Sequence, residues 1–295
     1  MPVLLMTVWL TGCVQEEFES TPSPAGNGIR FTLTVPDVNL PSVSSRTMTG
    51  TGTAKKEDEI ETVDILVFDM SKTPAVFLEW VSATGVTQDL ADNSTVSFSA
   101  VLSPTTASTC IVVVANKELD NIVSGFTKGA TTKVEAMEKM LHTQTGKWLA
   151  DGSTTGGYTR IPMYGEKVIS KITPSMDPIT GINMKRMLAR IDIRNNSVTS
   201  NFMVEEVYLA NYNTTGYIAP AWNTNGQVTE PAPDTPVLPT GSGKMTEEGN
   251  AILYSVNGNT PYDGEIYTFE SLAAEDAGGA GADGEASRKD ATCLI

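Results

Sequence analysis

Ile29-Arg30-Phe31-Thr32-Leu33-Thr34-Val35 alternates apolar and polar side chains without interruption. A period of two places Ile29, Phe31, Leu33 and Val35 on one face of an extended chain, so the stretch is a strand with one buried side. Pro36 ends it, having no N–H to give to a ladder. Further on, Glu59 to Asp69 begins by alternation and closes on the solid run Ile65-Leu66-Val67-Phe68, as a central strand covered on both faces does. Val76 to Val81, Val96 to Leu102 and Cys110 to Ala115 are further strands, separated by turn residues at the spacing of a β-sandwich.

One helix interrupts the strands. Thr132 and Glu135 form a capping box, Val134, Met137 and Leu141 fall on one face, and Gly146 supplies a stop. The single histidine, His142, then lies near the helix end, where a cationic ring suits the dipole. Ile161 to Gly165 and Lys167 to Ile172 read as one or two closing strands. Pro174 to Gly181, with two prolines and a glycine, reads as a linker.

The opening pattern then returns. Met187 to Ile193 is a strand, Asn195 to Asn201 a polar turn, and Phe202 to Ala210 a strand resembling Glu59 to Asp69, with Tyr208 placed in the core by alternation. Asn223 to Asn250 is a polar surface loop, and strands resume at Ala251 to Val256 and Glu265 to Phe269. An acidic, Gly/Ala-rich stretch, Glu270 to Asp290, leads to Thr292-Cys293-Leu294-Ile295, where another strand starts. The expectation is an all-β chain of two sandwich domains, residues 29–174 and 182–295, the first carrying the helix and the second truncated.

Ahead of the first strand, Leu10-Thr11-Gly12-Cys13 follows an apolar run from Val3 and looks like a bacterial lipobox. Residues 1–12 are then a signal peptide, and Cys13 becomes the lipidated first residue of a tether, 13–28, marked by Pro22, Pro24 and Gly26. None of the first twelve residues is Lys or Arg, which points to a truncated or misassigned start. Between Pro36 and Glu57 every local signal is loop, and Arg46 is the only basic residue between the first strand and Lys55. That loop leaves the first strand detachable.

A formal charge of −15 argues against nucleic acid and anionic lipid as partners. No stretch after Cys13 approaches the roughly 20 apolar residues of a membrane span, so attachment to a membrane is through lipid. Cys110, in an apolar run, and Cys293 either pair or leave Cys110 a buried free thiol.

Little suggests catalysis. One histidine and no paired cysteines at zinc spacing give no metal site, and nothing calls for a cofactor. Gly241-Ser242-Gly243-Lys244 fails as a phosphate loop, because Met245 replaces the hydroxyl residue and Leu238 the leading glycine. The acidic residues single out no catalytic pair and form no EF-hand loop. Of the aromatics Tyr208, Tyr212, Tyr217 and Trp222, Tyr217 and Trp222 are the candidates for a ligand platform.

Taken in order, Cys13, the strand Ile29 to Val35, the loop holding Arg46, the strand ending Ile65 to Asp69, Ile161-Pro162-Met163-Tyr164-Gly165 and Arg186 to Ile193 resemble the fimbrillins. These are lipoprotein-derived subunits of type V pili of Bacteroidales, with their anchor and tip proteins. The resemblance implies two transthyretin-like sandwiches and delivery to the outer membrane by lipid on Cys13. It further implies cleavage at Arg46-Thr47 by an arginine-specific surface protease, which removes the strand of Ile29, Phe31, Leu33 and Val35. A strand from another fimbrial subunit then fills the groove. The alternative is an uncleaved, surface-anchored lipoprotein that binds a host or bacterial glycan or protein.

Overall fold

The computed structural model describes residues 29–35, 57–88, 95–149, 159–193, 205–229, 237–239, 251–255, 262–271 and 293–294. In chain order these hold β1 (Ile29–Thr34), β2 (Val63–Asp69), β3 (Val76–Ser82), β4 (Thr84–Gln88), β5 (Thr95–Ala100) and β6 (Thr109–Ala115). Helices α1 (Asp120–Val123) and α2 (Lys133–Lys139) follow, then β7 (Leu141–Thr143), β8 (Met163–Ile169), β9 (Ile179–Asn183), β10 (Lys185–Arg186) and β11 (Ala189–Ile193). The remaining strands are β12 (Glu206–Ala210), β13 (Thr215–Tyr217), β14 (Ile252–Ser255), β15 (Tyr262–Thr268) and β16 (Cys293–Leu294). The protein is all-β with short helices.

Two sheets form a sandwich, one ordered β4-β5-β1-β9 and the other β10-β8-β6-β2-β3. The second sheet is the middle layer, and alternation along its strands sorts side chains between two cores. Ile65, Val67, Ile111 and Val113 point toward β1, where they meet Phe31, Leu33, Val96, Phe98 and Ile182. Leu66, Phe68, Val112 and Val114 point the other way, against Ala136, Met137 and Met140 of α2 and its end. This is why Ile65 to Phe68 has no polar residue: neither face meets water.

Both sides of the sandwich are closed by strands that change sheets. The chain passes from β3, at the edge of one sheet, to β4, at the edge of the other, through Ala83 alone, and from β9 to β10 through Met184 alone. Both linking residues turn toward the same core. Gly165 on β8 allows one of these corners, since a Cβ there would lie 2.7 Å from Met184 Sδ and 2.8 Å from Ile182 Cγ2.

Several expectations are corrected. Residues 179–181 are not linker: β9 pairs in parallel with β1, and β10 pairs with β8, so both belong to this sandwich. The capping box is present, but the helix ends at Lys139, well short of Gly146, because the chain turns at Met140 into β7. His142 is therefore a strand residue. Tyr208 faces outward, with Val207 and Leu209 taking the core, and its hydroxyl donates to Glu206 at 2.8 Å. Cys110 is a free, buried thiol, which burial pushes up to about 12 and so makes unreactive.

The second half packs on the middle layer. Met187, Ile218, Ala219, Tyr267 and Phe269 share the core of α2. A smaller cluster of Val207, Leu209, Tyr212, Ile252 and Ile266 joins the three-stranded sheet β14-β12-β16 and the pair β11-β15.

Candidate functional site

The first strand occupies an interior slot. On one side β1 pairs antiparallel with β5, Ile29 opposite Ala100, Phe31 opposite Phe98 and Leu33 opposite Val96. On the other it pairs in parallel with β9, Phe31 opposite Ile179 and Leu33 opposite Ile182. Its four apolar side chains, Ile29, Phe31, Leu33 and Val35, are exposed by only 4%, 1%, 0% and 1%. The Phe31 and Phe98 rings stack with centroids 5.0 Å apart and planes 7° from parallel. The side chains at Arg30, Thr32 and Thr34 take the outer face, opposite Ser99, Ser97 and Thr95.

The chain is tied down again at residues 57–61. Glu57 is buried and accepts from Arg190 Nη1 at 2.8 Å and from the Tyr267 hydroxyl. Arg186 donates to the Glu57 carbonyl at 3.2 Å and pairs with Asp58. Gln88 donates to the Asp58 carbonyl at 2.7 Å and accepts from Ile60 N–H at 3.1 Å. Asn116, held at φ +59°, donates to the Glu59 and Ile161 carbonyls and accepts from Glu61 N–H. Residues 57–61 thus have no ladder of their own but are stitched to β4, β10, β11 and β15.

Joining the halves, β7 pairs with β13, and His142 stands opposite Gly216. The imidazole packs against Trp148 and Phe269, at 5.0 and 6.5 Å between centroids, and neither ring nitrogen meets a partner among the described residues. Burial, with Lys117 nearby, lowers its pKa from 6.5 to about 4. Such a ring stays neutral in the fold, the reverse of a helix-capping cation. The stability this gives is present in full above pH 6.5 and is lost as pH falls toward 4, because the unfolded chain takes up the proton first. Burial raises the Asp64 and Glu270 carboxyls, which acts in the opposite direction. A His142→Phe variant should therefore lose less stability than the parent between pH 7.5 and 5, by about 1 kcal/mol after screening of a partly exposed ring. Thermal unfolding at the two pH values measures it, and equal losses in both proteins would refute the assignment.

Tyr217 and Trp222 are brought together, edge to face at 4.9 Å, both half-buried. Tyr212 is not with them but in the smaller core. Lys133, which drew no notice in the sequence, is buried at the start of α2 and pairs with Glu166 at 2.6 Å, where the Tyr164 hydroxyl also donates. No group of His, Cys, Asp and Glu fit for a metal occurs among the described residues. Cys13, Arg46, Thr47 and the Gly241 to Lys244 stretch lie outside the described residues, as do the expected signal peptide, 1–12, and tether, 13–28.

The first strand is thus an interior, doubly paired member of a sandwich sheet. The chain belongs to the family described as major fimbrial subunit protein (FimA), which it matches over residues 29–250. The family places it among the cell-surface subunits of fimbriae. No curated protein matches it. Among solved structures it is similar to a fimbrial assembly protein from Parabacteroides distasonis, at 12% identity and TM-score 0.38, with 85% of this chain and 78% of that one covered. It is also similar to a candidate cell adhesion protein from the same organism, at 16% identity and TM-score 0.43, with 85% and 73% covered. A candidate adhesin from Bacteroides ovatus aligns at 13% identity and TM-score 0.36, with 83% and 69% covered.

Proposed function

We propose that this protein is a fimbrial structural subunit delivered to the outer membrane by lipid on Cys13 and assembled by strand exchange. Cleavage at Arg46-Thr47 by an arginine-specific protease releases the tether and β1 together, and a strand of another subunit takes the slot. The observation that carries this reading is the double pairing of β1 inside its sheet. Its departure strips ladder partners from both β5 and β9, and those N–H and C=O groups regain them only from another strand. The corners at Ala83 and Met184 and the stitched segment 57–61 leave the rest of the sandwich connected without it. An incoming strand that buries four apolar side chains at about 1.5–3 kcal/mol each makes a persistent joint.

In this reading the chain is two transthyretin-like sandwiches in tandem, divided after β10 rather than at residue 182. Limited digestion with an arginine-specific protease should yield a stable product that begins at Thr47 and has lost residues 29–46. A stable product that keeps Ile29 to Arg46 would sink the proposal. The paired rings of Tyr217 and Trp222 support a second reading, an uncleaved surface adhesin. Lipid found on the assembled protein, with glycan binding lost in Trp222→Ala, would favour that one.

A further inference from the structure

We infer that Phe98 makes the slot selective for a strand with an aromatic ring at one defined position. The inference rests on the strand-exchange reading and adds to it the kind of segment the slot accepts. The apolar positions of β1, Ile29, Phe31 and Leu33, do not face equivalent surroundings. Ile29 lies opposite Ala100, and Leu33 lies between Val96 and Ile182. These are aliphatic walls, and such walls accept any aliphatic side chain of suitable volume. Phe31 alone lies opposite a ring, stacked on Phe98 at 5.0 Å and 7°, with Ile179 on its other side. Both rings are buried, at 1% and 3% exposure, so a smaller side chain there leaves a void that neither water nor a neighbouring group fills.

On the outer face Arg30, Thr32 and Thr34 lie opposite hydroxyl side chains, which discriminate little. Selectivity therefore resides in register. A strand that slips by one residue turns its apolar set outward, and one that slips by two moves its ring away from Phe98. The partner that fits is an extended segment of polypeptide in which every second residue is apolar and the residue reaching Phe98 is Phe or another ring.

The test uses the full-length chain with a site for a sequence-specific protease inserted after Arg46, so that nicking does not depend on the natural cleavage site. The nicked protein is incubated with fluorescent peptides of the sequence Ile29 to Val35 that carry Phe, Leu or Ala at the Phe31 position. Incorporation is followed by anisotropy. Phe is expected to exceed Leu about tenfold and Ala upwards of ~100-fold in apparent affinity. The preference for Phe over Leu should shrink to within about twofold in a Phe98→Leu protein. Equal incorporation of all three peptides overturns the ring selectivity while leaving strand exchange standing. If no peptide is incorporated, both readings fall. An unchanged preference in Phe98→Leu removes Phe98 as its source.

Discussion

A Leu33→Ala variant is expected to lose about 3–5 kcal/mol of stability. Leu33 is fully buried between Val96 and Ile182, in a layer where Val67, Ile111 and Val113 close the opposite side. Removing three carbons there forfeits both the transfer free energy and the contacts of the wall left facing a void. The wall belongs to two sheets tied at Ala83 and Met184 and has little freedom to collapse. Thr32, one residue away on the outer face, is the control: Thr32→Ala should change stability by less than about 1 kcal/mol. Urea unfolding followed by tryptophan fluorescence separates the two. Similar losses at both positions would mean that β1 is not held through its inner face, and the account of the slot would fail with it.

The second large effect is expected at Arg190. Its guanidinium meets Glu57, exposed at only 5% in its side chain, and Tyr267 donates to the same carboxylate oxygen. Changing Arg190 to Leu leaves that carboxylate buried with its charge uncompensated, at a cost of about 3–5 kcal/mol. The double change Glu57→Leu with Arg190→Leu should recover most of the loss, because an apolar pair needs no counterion. A double variant as unstable as the single one would show that the arginine acts through its stem and packing instead. The pair joins residues 57–61 to β11, so its loss should also make that segment more susceptible to proteolysis.

What could be read in the sequence was what period and burial write locally. Ile29 to Val35 and Ile65 to Phe68 announced a one-faced strand and a two-faced one, and both are found as such. The capping box of α2 was equally visible, since its two hydrogen bonds join residues three apart. The end of that helix was not. Leu141 continues the helical period, but its ladder partner, Tyr217, is remote in sequence, and the pairing of β7 with β13 overrides the local pattern. Tyr208 failed for the opposite reason: alternation determines which residues share a face but not which face is buried.

The strand β9 marks the limit most clearly. Ile179 and Ile182 are three apart, a spacing that no regular strand places on one face, yet both enter the core beside β1. Gly181, at φ +71°, absorbs the extra residue in an irregularity of the ladder, so the alternation that identifies a strand is absent from the sequence. With Pro174 and Pro178 close by, composition spoke for a linker. Sequence alone thus determined that the first strand has one apolar face. Tertiary structure decided that this strand lies inside its sheet, held from both sides. The neighbour on the second side is recruited from far along the chain, Ile179 to Asn183, by hydrogen bonds and burial that no local period encodes.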